Sequence, residues 1–368
     1  ASLPTRPRGI KPWMLLAAGG ALSLLAGLLL ALLIGGLDRK IYRAAEVEPI
    51  VRQPLLATLP RQSRAEAARG QRRPEVVQAN QRLMAWSRDE GKVEVGVKLP
   101  ADPRGPGDAE GLIGDGGLLA LPPARDGQAL VPVDSVVLDN LLEDHRAVTL
   151  TIHSVPCSAP TAPGLFITTA PQGPGADQVR LLASRLVDAR QRPCRVVVVA
   201  SWEPGAGRTT VAANLALALA ESRRRTLLVD ACGGDAALTR LLGLRPSAEI
   251  ALYRQLSDHM AGTAEGWTLY KVAEALSVIP ADTEARPMAP MLSSVAFAEM
   301  VEQLQAVFDV LVFDSVAVSR VSDAVVLQQQ SDAVVPVVRR KRSRLPGLRE
   351  LHRQLDAHRL HGVVFNEA

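Results

Sequence analysis

Aromatic residues are scarce in this chain. Trp, Tyr and Phe together make up 3% of its 368 residues, although 47% are hydrophobic. Its core must therefore be built mainly from Ala, Val and Leu, as in a parallel sheet whose strands are buried on both faces by helices. Cysteine is also rare. Cys157, Cys194 and Cys232 are far apart with no CxxC pair, which excludes a disulfide framework and a cysteine-rich zinc site and predicts reduced thiols in the cytosol. Charge of one sign does not dominate, with 42 Lys+Arg against 38 Asp+Glu and a net charge of +4, so the composition is not that of a nucleic-acid binder. The cations do cluster at 223–225 and at Arg339, Arg340, Lys341, Arg342 and Arg344. Such runs read first as solvated faces or helix starts, with an anionic membrane surface as the alternative partner.

Long hydrophobic runs are absent except for one. Residues 13–37, WMLLAAGGALSLLAGLLLALLIGGL, carry no charge. At about 1.5 Å per residue this run covers the roughly 30 Å hydrocarbon core of a bilayer. It is longer than the apolar region of a signal peptide, and no small-x-small cleavage site follows it, so a single transmembrane helix is expected. Basic residues flank both ends (Arg6, Arg8 and Lys11; Arg39, Lys40 and Arg43), and the positive-inside count is a tie. The run's glycines would let such helices pack closely, although Gly is also simply tolerated in lipid. The remaining organisation reads as a pre-membrane segment 1–12, a juxtamembrane helical segment 38–87, a flexible Gly/Pro/Asp-rich linker 88–165 and a folded domain 166–368.

The folded domain opens on a recognisable context. CRVVVVAS (194–201) has the length and composition of a buried strand, and it runs through WEPGAGRTT into the helical VAANLALALAES. Strand, Gly-rich turn and helix are what a phosphate-binding loop requires. Pro204, Gly205, Ala206, Gly207, Thr209 and Thr210 form its candidate cradle, with Thr209 where a Mg²⁺-binding hydroxyl belongs. TLLVD (226–230) and DVLVFD (309–314) are two further strands, each ending in a carboxylate, Asp230 and Asp314. LSVIP (276–280), SDAVVPVV (331–338) and HGVVFN (361–366) add three more. An acid at a strand end is ordinarily a turn or cap residue. These two stand apart because both follow apolar strands in order after the Gly-rich loop, whereas Asp323, Asp332 and Arg320 read as structural. The fold expected is α/β, a doubly wound, mostly parallel sheet with its ligand at the strand C-termini. A nucleotide site also requires the cytosol, which orients the membrane run.

From about residue 174 to 366 the chain resembles the cytoplasmic domain of bacterial tyrosine autokinases. These are attached to, or paired with, Wzz-type polysaccharide co-polymerases and are relatives of the MinD/ParA ATPases. The matching pieces occur in family order: ADQVRLLASRL (176–186), the Walker A region 201–220, the Walker A′ region TLLVDACGGDAALTRLLGL (226–244), the Walker B region 308–339 and the closing HGVVFN. LPTRPRGIKPW before the apolar run and PIVRQPLLATLP after it resemble the co-polymerase's second membrane helix and its cytoplasmic exit. The resemblance implies ATP or ADP with Mg²⁺ as cofactors, Asn366 beside the base, and catalytic roles for Arg208, Asp230 and Asp314. It further implies a bacterial inner-membrane location, homo-oligomers and partners in the polysaccharide polymerase and export machinery.

The chain departs from the family at several of these positions. The Walker A lysine is Arg208, and a planar guanidinium does not replace a compact ammonium between phosphates. The second Walker A′ aspartate is Cys232, followed by Gly233 and Gly234. After Asp314 come Ser315, Val316 and Ala317 in place of Thr-Pro-Pro, and the Glu-x-x-Arg-x-x-Arg helix reads Asp177, Arg180 and Ala183. The only tyrosines are Tyr42, Tyr253 and Tyr270, with no acceptor cluster. The function expected is regulation of surface-polysaccharide chain length and export by a degenerate kinase-like domain. An active ATPase or kinase and an inert scaffold are the alternatives, and the chain is expected to be the C-terminal part of a longer protein or a truncated gene product.

Overall fold

The computed structural model describes residues 23–29, 40–61, 91–98, 147–157, 160–188 and 194–367, except 235, 246, 265, 283, 285 and 320–322. Among them, ten strands form one sheet: β1 (Leu55–Leu59), β2 (Gly91–Lys98), β3 (Ala147–Pro156), β4 (Val196–Ala200), β5 (Thr226–Asp230), β6 (Trp267–Ala273), β7 (Leu276–Ile279), β8 (Val310–Asp314), β9 (Ala333–Arg339) and β10 (Val363–Asn366). Their order is β1-β10-β9-β4-β8-β5-β7-β6-β3-β2. Every neighbouring pair is parallel except β2 with β3 and β6 with β7. The five longest helices are α1 (Pro174–Val187), α2 (Arg208–Glu221), α3 (Leu252–Met260), α4 (Val295–Val307) and α5 (Leu345–Gln354).

Successive residues of a strand face opposite sides of the sheet, and both sides here are covered. Val197 and Val199 of β4 belong to an apolar layer with α1 and α2. Val196, Val198 and Ala200 belong to a second layer with α3, α4 and α5. That is why β4 is an unbroken apolar run rather than an alternating one. Helix α2 is buried along its whole length from Val211 to Ala220, packed on α1, β4, β5 and β8. A helix apolar on every side suits that central position. Asp332, expected to be structural, accepts hydrogen bonds from the Arg195 and Val196 amides (2.8 and 2.9 Å) and fixes the start of β4.

Two domain expectations need correction. The segment 38–87 is not simply helical, because Leu55–Leu59 is a strand pairing in parallel with β10, and Leu56, Ala57 and Leu59 are buried. Arg185 of α1 donates to the Leu55 and Leu56 carbonyls (2.8 and 2.7 Å), so backbone groups on this edge find partners instead of remaining open. Within 88–165, β2 and β3 extend the opposite edge, and Leu165 is fully buried. A boundary at 166 therefore cuts through folded structure, since edge strands are recruited by backbone pairing, which leaves little trace in composition.

Most of the expected membrane run 13–37 lies outside the described residues. Residues 23–29 are helical and exposed. Among the described residues no helix is long and apolar enough to cross a membrane. The segment 1–12 also lies outside them, as do most of the linker and Arg320.

Candidate nucleotide and metal site

The site lies at the C-terminal ends of β4, β5 and β8. The loop after β4 carries Gly205 (φ 71°) and Gly207 (φ 98°) in the left-handed region, and α2 begins at Arg208. A side chain at 207 would be strained and would collide with Asn366 Nδ2. Successive amides turned inward ahead of a helix N-terminus form a concavity suited to phosphate oxygens. Thr209 and Thr210 are half-buried on the first turn of α2.

Asn366, implied beside the base, lies against the loop itself and donates to the Ala206 carbonyl at 3.0 Å. Arg208 turns toward the end of β4, donating from Nη1 to Ser201 Oγ at 2.8 Å, while its buried Nε has no hydrogen-bond acceptor. Arg339 Nη1 donates to the Gly205 carbonyl at 2.7 Å.

The parallel register sets Asp230 opposite Asp314. Cys232, two residues beyond β5, swings back so that its Sγ lies 3.7 Å from the Asp314 carbonyl, while its amide donates to Asp230 Oδ1 at 3.1 Å. Asp230, Cys232 and Asp314 are all buried and their ligating atoms lie within 4.8 Å of one another. Burial raises the Cys232 thiol well above its ordinary range; the Asp314 and Asp230 carboxylates add to this and Arg208 opposes it. The group is thus two carboxylates and a neutral thiol.

That donor set fits Mg²⁺ only in part. Asp230, Asp314 and the Thr209 hydroxyl offer the oxygen that Mg²⁺ requires, and Mg²⁺ ordinarily takes one or two carboxylates plus substrate phosphates and water. Cys232 offers sulfur where the cation prefers oxygen. When bound, Mg²⁺ would neutralise charge on β- and γ-phosphate oxygens. The rest would fall to the chain: the 204–210 loop would orient phosphates, Arg208 would hold positive charge beside them, and Asp230 and Asp314 would hold the cation.

Sequence reasoning missed one supporting residue. Asn214 is a polar residue within the Ala/Leu run of α2, and that contrast was the available signal. It accepts from the Phe166 amide (2.7 Å) and donates to the Gly164 and Thr210 carbonyls (2.7 and 2.8 Å), tying 164–166 to the first turn after the loop. Arg180, which stands in the departed Glu-x-x-Arg-x-x-Arg pattern, is held within the chain by Glu221 (2.7 and 2.9 Å), the Pro171 carbonyl (2.6 Å) and Asp177 (3.1 Å).

The thiols give a pH prediction. Burial pushes Cys157 up to about 11. Its native alkylation is therefore expected to be slow at pH 8 and to accelerate only as pH approaches 11, measured by mass spectrometry at graded pH. Because the folded value is raised, its contribution to stability is complete below pH 9 and fades as pH rises through 11. Rapid modification of native Cys157 at pH 8 would contradict the burial.

Residues 194–362 match the AAA domain family model. The chain is 29% identical over 178 residues to the tyrosine-protein kinase CpsD of Streptococcus pneumoniae, covering 47% of this chain and 76% of that one. It is 30% identical over 149 residues to the succinoglycan biosynthesis transport protein ExoP of Rhizobium meliloti, covering 39% of this chain but only 18% of that longer protein. Among solved structures, the BceF tyrosine kinase domain superposes with a TM-score of 0.50 at 17% identity, over 89% of this chain and 99% of that one, a likeness of fold. Residues 194–362 are thus similar to the AAA domain family, and the proteins that this part of the chain resembles include bacterial tyrosine-protein kinases.

Proposed function

We propose that the chain is a membrane-anchored regulator of exopolysaccharide, capsule or lipopolysaccharide chain length and export, whose kinase-like P-loop domain binds Mg·ATP or Mg·ADP as an assembly switch. The observation that carries the switch is the convergence of the left-handed glycines 205 and 207, Arg208, Asp230, Cys232 and Asp314 in one site. The loop and the carboxylate pair retain what phosphate and metal binding need, while Arg208 and Cys232 replace groups that would position charge for transfer. The uncharged run 13–37 supports anchoring in the bacterial inner membrane with this domain in the cytoplasm. The name of one relative, a succinoglycan biosynthesis transport protein, supports partners in polysaccharide assembly, and the family resemblance implies further copies of the chain as the oligomer.

The test is equilibrium binding of Mg·ATP and Mg·ADP to the full chain in detergent. Binding in the micromolar range is expected. Asp314→Ala should weaken it by on the order of 10- to 100-fold, the equivalent of about 1.5–3 kcal/mol for a lost charged contact. Binding that is absent, or indifferent to this substitution, would overturn the switch.

A second reading, phosphoryl transfer to tyrosine, is favoured by the printed activity of the relatives. Of the three tyrosines, Tyr42 is half exposed, Tyr253 lies beneath the Arg286 guanidinium, and Tyr270 is buried with its hydroxyl on the Arg245 carbonyl. Phosphotyrosine would therefore be expected at Tyr42 first, and its absence after incubation with Mg·ATP would leave the switch alone.

A further inference from the structure

The turn after β9 joins three features that lie far apart in sequence. Its backbone is closed on itself, with the Arg339 amide on Ser343 Oγ (3.0 Å) and the Ser343 amide on the Arg339 carbonyl (2.9 Å). Lys341 takes a left-handed conformation at its apex, φ 60°. Arg340, Lys341, Arg342 and Arg344 are all exposed. Among the described residues, no carboxylate lies within salt-bridge distance of Arg340, Lys341 or Arg342. Holding like charges on a short rigid turn is unfavourable unless an anionic surface meets them.

The same turn is fastened at two places. Inward, Arg339 holds the Gly205 carbonyl, and the Arg342 guanidinium lies 3.3 Å from where a side chain at Gly205 would begin. Outward, Lys40 bridges to Arg344, the buried Ile41 donates to the Ser343 carbonyl at 2.9 Å, and the Lys341 amide donates to the Ile41 carbonyl at 2.7 Å. Only residues 38 and 39 separate this junction from the apolar run ending at 37. Three residue steps span at most about 10 Å. That is about one screening length at physiological salt, so cations there feel an anionic leaflet.

We propose that the basic turn 339–344 docks on the anionic lipid surface beside the membrane run and so brings the phosphate-binding loop into contact with the bilayer. The proposal rests on the membrane-anchored reading for its geometry. The lipid favours the docked position of the turn, and Arg339 and Arg342 connect that position to Gly205. Each cation near an anionic leaflet strengthens attachment about fivefold. Removing three should weaken it by on the order of 10²-fold.

Lys341 itself is the probe. The full chain is reconstituted in vesicles of phosphatidylcholine alone or mixed with phosphatidylglycerol. Its lysines are acetylated with an uncharged reagent, and Lys341 is quantified against Lys271 by mass spectrometry. The result expected is Lys341 protection, fivefold or more, in the anionic vesicles only, reversed by high salt. It should also be lost in the Arg340→Gln, Arg342→Gln, Arg344→Gln variant, with an unchanged circular dichroism spectrum and thermal midpoint confirming that this variant is folded. Equal labelling in both vesicles would overturn the proposal. So would equal protection produced by ATP in neutral vesicles, which would assign the turn to nucleotide phosphate. Alkaline carbonate extraction of the same vesicles reports the membrane span separately: a retained chain with unprotected Lys341 sinks the docking turn alone, whereas an extracted chain sinks the span.

Discussion

Replacing Arg208 with lysine and Cys232 with aspartate together is expected to raise ATP turnover on the order of 10²–10³-fold, the scale of one correctly placed electrostatic donor. In the native chain the Arg208 guanidinium is tied to Ser201 Oγ at 2.8 Å and is held at the end of β4. A lysine ammonium is smaller and has no planar fork to satisfy, so it can stand between phosphate oxygens. At 232 an aspartate would add a third carboxylate to Asp230 and Asp314, whose ligating atoms and the present thiol already lie within 4.8 Å of one another. That addition would crowd negative charge in the absence of metal and be relieved by Mg²⁺, so the variant's thermal midpoint should become Mg²⁺-dependent. Each single substitution should yield less than the pair, because both act on the same phosphate–metal unit. Phosphate release by the purified full chain measures the effect. A double variant no faster than the native chain would mean that more than these two groups has been lost.

The second large effect is on stability. Asn214→Ala should cost about 3–5 kcal/mol, because it orphans the buried Phe166 amide, worth about 1–3 kcal/mol, and removes the part-buried bonds to the Gly164 and Thr210 carbonyls, each worth about 0.5–1.5 kcal/mol. The native amide accepts from the Phe166 amide at 2.7 Å and donates to the Gly164 carbonyl at 2.7 Å and the Thr210 carbonyl at 2.8 Å, with Asn214 fully buried. For a domain of this size the thermal midpoint should fall by roughly 10 °C or more. Urea denaturation followed by circular dichroism measures the loss, and a change below about 1 kcal/mol would mean that water or a shifted backbone replaces the amide. Nucleotide binding should weaken as well, because Thr210 belongs to the candidate cradle.

The reading from sequence was sharpest where local pattern and structure coincide. Thr226–Asp230 is a strand over the residues expected, and the strands expected at 194–201, 309–314, 331–338 and 361–366 fall within two residues of their observed bounds. Each is a short apolar run buried on both faces, and such runs announce themselves locally. The loop was legible because two left-handed positions in succession, 205 and 207, select glycine. Strand β1 was less legible: LLATL differs little from a helical segment until β10 offers it an edge. Strands β2 and β3 lie in a stretch whose composition reads as linker, and their pairing is again made by backbone.

The amino-acid order by itself thus determined the buried strands, the phosphate loop and the two strand-end acids, because each depends on neighbours within a few residues. Tertiary structure alone decided that Cys232 meets Asp314 across 82 positions, that Asn214 clamps 164–166, and that the basic turn joins Ile41 to Gly205. The physical reason is that these contacts follow from strand order and parallel register, which bring distant segments to one edge of the sheet. No periodicity or composition along the chain encodes which distant segments those will be.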